Sequence, residues 1–397
     1  MVKLYRNLCE AVVQVLESIF VENRYADKAI EKMLKQNQRW GARDRRFIAE
    51  TAYDIVRWYR LLGYLSDAPD DFWKLMGTWF LLNGNPDLPT WDEFKNLDKR
   101  KILQKYEEAK QSRKINESIP DWLDELGEKE LGKKWEKEIE SLNEEARVVL
   151  RANTLKISKS DLRDELEQQD ILTEPVKDYP DALILEKRQN IFIQPLFKDG
   201  FFEVQDAGSQ AIAAFLNVEP GQRVIDACAG GGGKTLHLAA LMQNKGRIIA
   251  MDTEEWKLEE LKKRARRAGA SNMIETRMIE SSKTIKRLEN SADRLLLDVP
   301  CSGLGVLKRN PDAKWKLNME FIENVKSIQQ KILNEYSSML KRGGLMVYST
   351  CSILPSENEK QVEAFLSEKK EFELVKQKMI YPSQGFDGFY MALLKKA

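Results

Sequence analysis

Two of the four cysteines stand in equivalent places. Cys301 lies in Asp298-Val-Pro-Cys-Ser-Gly303 and Cys351 in Ser349-Thr-Cys-Ser352, each just after a run that reads as a sheet strand. Singly, either is a small buried hydrophobe. As a pair on one sheet edge they suit covalent chemistry on a pyrimidine. Carbon 5 of cytosine or uracil is unreactive until a thiolate adds at carbon 6. Carbon 5 can then take a methyl group, and loss of its proton lets the thiolate leave. One cysteine suffices for attack, and a second can assist the elimination. Asp298 is placed to hydrogen-bond the N3/N4 edge of the ring and to steady the charge shift. A free thiol has a pKa of about 8.5, so only a small fraction is thiolate at neutral pH before any tuning.

A glycine loop reads Asp226-Ala-Cys-Ala-Gly-Gly-Gly-Gly-Lys-Thr235. A P-loop needs a glycine five residues before Gly233, and Cys228 stands there. A dinucleotide fingerprint needs a third glycine where Thr235 stands. What remains is a strand, a glycine turn and a helix. Asp252 ends the next strand, and a carboxylate there can accept both hydroxyls of a ribose. This combination fits an adenosine-containing ligand without a pyrophosphate, such as S-adenosylmethionine. The alternative is a purely structural turn, which leaves four weakening glycines without a reason.

The elements that must position these groups alternate. Arg223–Asp226, Arg247–Asp252, Arg294–Val299 and Leu345–Ser349 read as strands, with helices between them. Met319 to Leu340 reads as one long helix stopped by Gly343-Gly344, and another helix follows from Ser356. The pattern predicts a parallel sheet with helices on both faces and its ligands at the carboxyl ends of the strands. Residues 146–205 read as a small α+β module. Its strands are Arg147–Asn153, Ala182–Leu185 and Asn190–Ile193, and its helix runs from Ser158 to Gln169 with Ser160 as N-cap. Residues 1–145 read as all helix, with Ile48, Ala52, Ile55, Tyr59 and Leu62 at helical spacing and a break at Asn83-Gly84-Asn85-Pro86. Residues 206–397 then form the third domain.

Composition narrows the function. The 397 residues hold 64 Lys and Arg against 63 Asp and Glu, so any nucleic-acid surface must come from local clustering. A single histidine, His237, excludes multi-histidine metal sites; it falls in the helix after the glycine loop, where packing or capping explains it. The scattered cysteines argue against a disulfide scaffold or a zinc ribbon, so no metal is expected. Glu10 and Glu17 interrupt the N-terminal apolar residues, and the most apolar stretch, Phe72–Leu82, is too short to span a bilayer. These features predict a cytoplasmic protein without membrane contact.

Together these segments resemble the RNA cytosine-5 methyltransferases of the RsmB/NSUN (Sun/NOL/NOP) family. The carrying residues are the glycine loop, Asp298–Gly303, Lys308-Arg-Asn-Pro-Asp312 with Trp315, and Ser349–Ser352. Phe202–Ser209, Arg151–Leu155 and Asp387-Gly-Phe-Tyr390 extend the likeness. The resemblance implies a Rossmann-like class I methyltransferase domain with S-adenosylmethionine as cofactor, and a monomer. It makes Cys351 the nucleophile at carbon 6 and Cys301 the residue that helps release product. DNA cytosine-5 methyltransferases use the cysteine of their Pro-Cys segment instead, so Cys351 favours RNA. Cys228, Ala229, Gly230, Gly231, Gly232, Gly233 and Lys234 would surround the cofactor, and Asp252 would hold its ribose. Asp298 would face both cofactor and base. Two departures stand out. Gly230-Gly231 occupy the usual Ala-Pro, and Glu280 is best placed for the acid commonly found near the adenine. The module at 146–205 resembles the family's RRM-like domain. The N-terminal helices, with Arg43-Asp-Arg-Arg-Phe47 and Tyr53–Trp58, resemble the NusB-like RNA-binding domain of bacterial members.

Lys308, Arg309, Lys314 and Lys316 follow the strand carrying Asp298 and are expected to contact RNA phosphates near the target base. The cluster from Lys257 to Arg267 reads as a solvated helix face. The reading is therefore methyl transfer to carbon 5 of a cytosine in 16S-type ribosomal RNA, with the base extruded or single-stranded. A transfer RNA, a DNA substrate and a non-catalytic ribosome-assembly factor are the alternatives.

Overall fold

The computed structural model describes residues 3–84 and 87–397; Asn85 and Pro86 of the expected helix break lie outside the described residues. The chain divides into two units. One comprises the chain up to Glu144 together with Leu307–Met319, the other Glu145–Val306 with Glu320–Ala397.

The first unit is helical. Arg6–Phe20 presents Leu8, Val12, Val15, Leu16 and Ile19 on one buried stripe against Ile48, Ala52 and Ile55 of Ala42–Arg57. The run expected to reach Leu62 is two helices, because Trp58 leaves helical geometry and Tyr59–Ser66 starts anew. Asp71 caps Phe72–Leu82 by accepting the Lys74 N–H at 3.1 Å.

Leu307–Met319, which the sequence reading assigns to the third domain, packs with these helices. Ala26 N–H donates to Asp312 Oδ2 at 3.0 Å. Trp315 Nε1 donates to the Val56 carbonyl at 2.7 Å, and its ring meets Tyr59 edge-on.

The second unit holds two sheets. The first contains β1 (Val149–Ala152), β2 (Thr173–Pro175), β3 (Ala182–Leu185) and β4 (Phe202–Val204) in the order β2-β3-β1-β4, all antiparallel. The helix Lys159–Glu167 joins β1 to β2, and its cap is Ser158 rather than Ser160, accepting the Asp161 N–H. The expected strand at Asn190–Ile193 is a 3-10 turn. Asn190 Oδ1 takes the Phe192 N–H at 3.2 Å, and Pro195 follows, so the backbone closes locally instead of joining a ladder.

The second sheet contains β5 (Arg223–Asp226), β6 (Arg247–Asp252), β7 (Ile274–Met278), β8 (Ala292–Asp298), β9 (Leu340–Thr350), β10 (Phe372–Ile380) and β11 (Phe389–Lys396). Their order is β10-β11-β9-β8-β5-β6-β7. The expected alternation is present from β5 to β9, and these strands are parallel. Both faces are covered: Leu295 and Leu297 pack on one side and Leu296 on the other.

Two features differ from expectation. β11 runs antiparallel to both β9 and β10, forming a terminal hairpin. β10 was illegible because its middle residues are exposed and carry no apolar alternation. The long helix ends at Tyr336, and β9 begins at Leu340 and runs through Gly343-Gly344. Chain order reverses between β5 and β8. A crevice therefore opens at their carboxyl ends, where the glycine loop and Asp298 stand. Among the described residues, no helix is long and apolar enough to cross a membrane.

Candidate active site

The glycine loop follows β5 and feeds directly into the helix Gly233–Leu241. Gly232 has φ +87°, and a Cβ there would meet Leu261 Cγ at 2.6 Å, so only glycine fits. Gly230 has φ +52° and open space where a side chain would be. Its N–H donates to Asp252 Oδ2 at 2.9 Å, and Glu254 N–H donates to Oδ1 at 3.0 Å. These bonds lock the loop to the end of β6.

Arginines hold the loop from behind. Arg264 Nη1 donates to the Gly231 carbonyl at 2.7 Å, and Arg151 Nη1 to the Gly233 carbonyl at 2.7 Å. Glu203 of β4 pairs with Arg264 at 2.9 Å and Arg267 at 2.6 Å. Lys257, Lys262 and Lys263 of the same helix pair with glutamates three residues away. The basic run on this helix is thus part bracing and part solvated face.

Asp226 ends β5 fully buried. Thr235 Oγ1 donates to its Oδ2 at 2.7 Å, and Oδ1 is buried with no hydrogen-bond partner. Burial pushes its carboxyl up to about 7, with Thr235 working in the other direction. Burial likewise raises the Cys228 thiol well above its usual range.

Asp298 ends β8. It accepts Lys234 Nζ at 2.5 Å on one oxygen and Ser349 Oγ at 2.8 Å on the other. Burial works against the Lys234 ammonium, yet the charge of Asp298 and its hydrogen bond leave the pKa raised. Lys234 therefore carries a proton at neutral pH.

β8 and β9 are neighbours with Asp298 opposite Ser349, which brings the two cysteine turns side by side. Cys301 Sγ lies 2.9 Å from Cys351 Sγ, and the Cys351 N–H reaches Cys301 Sγ at 3.2 Å. Contact with Cys351, and then burial, raise the Cys301 thiol well above its usual range. Cys301 therefore holds its proton at neutral pH.

Glu280 lies two residues beyond β7 with an exposed side chain, while the neighbouring Ile279 N–H bonds the Asp252 carbonyl. The expected basic cluster lies on Leu307–Met319, within the helical unit. Lys308 is 5% exposed and its Nζ donates to Glu144 Oε2 at 2.9 Å. Lys314 is 1% exposed and donates to the Arg57 carbonyl at 2.9 Å and Asn143 Oδ1 at 2.8 Å. Burial pushes its ammonium well below the usual range. Lys316 reaches Asn23 Oδ1 at 3.0 Å, and burial lowers it too. Arg309 is partly exposed. Lys308 and Lys314 thus seat their own segment in the helical unit instead of standing as solvated ammoniums. Their burial was not legible, because a lysine-rich run looks solvated whether or not its ammoniums find carbonyls.

His237 is packed, as its place in the helix suggests. It is 3% exposed, with Nε2 at 3.3 Å from Asp181 Oδ2. Burial first, and Arg151 second, lower its pKa from 6.5 to about 4. The unfolded chain therefore binds a proton that the folded chain refuses. The contribution is fully present above pH 6.5 and is lost as pH falls toward 4. Between pH 7.5 and 5 the protein should lose about 2 kcal/mol through this group. His237→Gln should remove that part of the slope, read by urea unfolding at both pH values.

Two family models match the chain. One is described as 16S rRNA methyltransferase RsmB/F and covers residues 213–395. The other, the ferredoxin-like domain of RsmF/B-like methyltransferases, covers residues 119–192. The chain is also 32% identical to a probable ribosomal RNA small subunit methyltransferase B from Synechocystis, over 96% of its own length and 98% of the relative's. The chain belongs to the RsmB/F methyltransferase family. A second relative, ribosomal RNA small subunit methyltransferase B from Serratia proteamaculans, is 33% identical over 75% of this chain and 71% of that protein. A methyltransferase homologue from Pyrococcus horikoshii shares the fold at a TM-score of 0.63. It is 27% identical over 72% of this chain and 98% of that one.

This RsmB/F member is an S-adenosylmethionine-dependent methyltransferase with a Rossmann-like domain. The residues fit the cofactor. The space over Gly230 is open, Asp226 Oδ1 is buried and unbonded, and each Asp252 oxygen has a lone pair left after its backbone bond. Gly232→Ala is expected to cost more than about 1 kcal/mol, because both the φ and the Leu261 contact oppose a side chain. Melting with and without S-adenosylhomocysteine checks this: the variant should melt lower and gain less from the ligand.

Proposed function

We propose that this methyltransferase modifies carbon 5 of a cytosine in 16S-type ribosomal RNA through a covalent bond from Cys351 to carbon 6. The observation that carries the reading is the pair of thiols 2.9 Å apart at adjacent strand ends, beside Asp298. The family's ribosomal RNA substrate supports the choice of RNA.

Cys228 to Lys234 would surround the cofactor, Asp252 would hold its ribose hydroxyls, and Glu280 would stand on the adenine side. S-adenosylmethionine supplies an electrophilic methyl group on sulfur. Cys351 Sγ adds to carbon 6, which places an electron pair at carbon 5. Asp298, fixed by Lys234 and Ser349, hydrogen-bonds the N3/N4 edge and steadies that charge. After methylation a solvent base takes the proton on carbon 5, the pair of that C–H bond restores the double bond to carbon 6, and the carbon–sulfur bond breaks with its own pair leaving on Cys351. Cys301, which keeps its proton, donates a hydrogen bond to the departing sulfur. Arg43, Arg45 and Arg46 on the helix Ala42–Arg57 make the helical unit a candidate RNA-contacting part.

The test is transfer of labelled methyl groups from S-adenosylmethionine to purified 16S ribosomal RNA, transfer RNA and DNA. Label at carbon 5 of one cytosine in 16S RNA supports the reading. Label only in transfer RNA or DNA moves the substrate class. Cofactor binding without transfer to any of them sinks it.

A further inference from the structure

A buried carboxylate lies behind the two thiols. Glu357 is 0% exposed, and among the described residues no lysine or arginine pairs with it. Burying a carboxylate is costly unless several donors meet it. Four do. Ser302 Oγ and Ser352 Oγ each donate to Oε1 at 2.5 Å. The Ser302 N–H and Gln329 Nε2 donate to Oε2 at 2.8 and 3.0 Å. Ser302 adjoins Cys301, and Ser352 adjoins Cys351. Gln329 also donates to the Pro300 carbonyl at 2.9 Å, immediately before Cys301. Three of the four bonds thus come from the residues next to the reactive cysteines, and the fourth from a side chain that grips the Cys301 turn.

We propose that Glu357 is a positioning residue whose buried carboxylate clamps the Cys301 and Cys351 turns together and so sets the approach of the two sulfurs. The inference deepens the reading of the cysteine site and rests on it. The two turns do not depend on the clamp equally. The Cys351 turn has its own support: Asn358 Nδ2 bonds the Ser352 carbonyl at 3.0 Å, and Thr350 Oγ1 bonds Asn358 Oδ1 and receives the Ser352 N–H. The Cys301 turn has backbone ties to the Cys351 strand end, Val299 N–H to the Ser349 carbonyl at 3.0 Å and Gly305 N–H to the Cys351 carbonyl at 2.8 Å, but its side-chain anchors, Ser302 and Gln329, both bond Glu357. Loss of Glu357 should therefore displace Cys301 more than Cys351. The step affected would be release of RNA rather than attack.

The sulfur–sulfur approach can be read without substrate. Diamide oxidises two close thiols to a disulfide: the sulfurs give up two protons and two electrons, and the diazene becomes a hydrazine. In the full-length protein the Cys301–Cys351 linkage, identified by peptide mass spectrometry, should form about tenfold more slowly in Glu357→Ala than in wild type. The same variant should accumulate covalent protein–RNA and release it about tenfold more slowly. Glu357→Gln should rescue both rates to within about threefold. Its amide oxygen can face the two N–H donors while its NH₂ donates to the serine hydroxyls, which accept as readily as they donate. A residue that merely fills space would leave the disulfide rate unmoved. Where Glu357→Ala does not fold, the Ser302→Ala/Ser352→Ala double variant removes two of the four bonds at little change in volume and carries the same expectation. A folded variant with wild-type disulfide and release rates overturns the proposal. Because the diamide rate needs no RNA, failure of the cytosine reading would show in the wild-type methylation assay and leave this test standing.

Discussion

Cys351→Ala should abolish methylation and leave no covalent protein–RNA complex. The uncatalysed pyrimidine has no nucleophilic carbon 5, and no other sulfur is placed to create one. Cys301 is the nearest, but it holds its proton and sits on the neighbouring strand end. The expected loss is at least about 10³-fold in kcat, the scale on which removing a covalent nucleophile acts. Cofactor affinity should be unchanged, because the Gly230–Asp252 contacts lie on β5 and β6 while Cys351 follows β9. Labelled methyl transfer with S-adenosylhomocysteine calorimetry separates the two effects. Residual turnover near the wild-type rate would remove Cys351 from the mechanism.

Cys301→Ala should fail differently. Attack and methylation proceed, giving a burst of about one methyl group per enzyme, and the complex then persists. The departing Cys351 sulfur loses the S–H donor 2.9 Å away, so elimination slows. A denaturing gel should show protein linked to labelled RNA, absent from Cys351→Ala and scarce in wild type. The double variant should show none. If the adduct instead depends on Cys301 and survives loss of Cys351, the two roles are exchanged.

The parts of this site that were legible are those where residue type alone carries the chemistry. Four consecutive glycines, an acid at the end of the next strand, and cysteines after two apolar runs need no coordinates to be singled out. The parts that were not legible are pairings. Glu357 stands six residues after Cys351 and gave no signal by itself. The hint was the repeated dipeptide Cys301-Ser302 and Cys351-Ser352, two hydroxyls beside two thiols and one acid to receive both. Arg151 and Glu203 likewise read as ordinary strand residues of the small module, yet they brace the glycine loop. The partners of the basic segment from Lys308 to Lys316 were hidden for the same reason. Charge predicts solvent, and only the helices around it turn Lys314 into a buried donor.

Local pattern by itself determined the alternating α/β core, the position of the loop and the candidates for the reactive groups. Each of those follows from periodicity of burial and from side-chain chemistry, which act over a few residues. Tertiary structure alone decided the antiparallel β10–β11 hairpin, the seating of Leu307–Met319 in the helical unit and the 2.9 Å meeting of Cys301 with Cys351. These depend on which strands become neighbours. Strand order is set by packing both faces of a sheet at once, and no short stretch of chain contains that information.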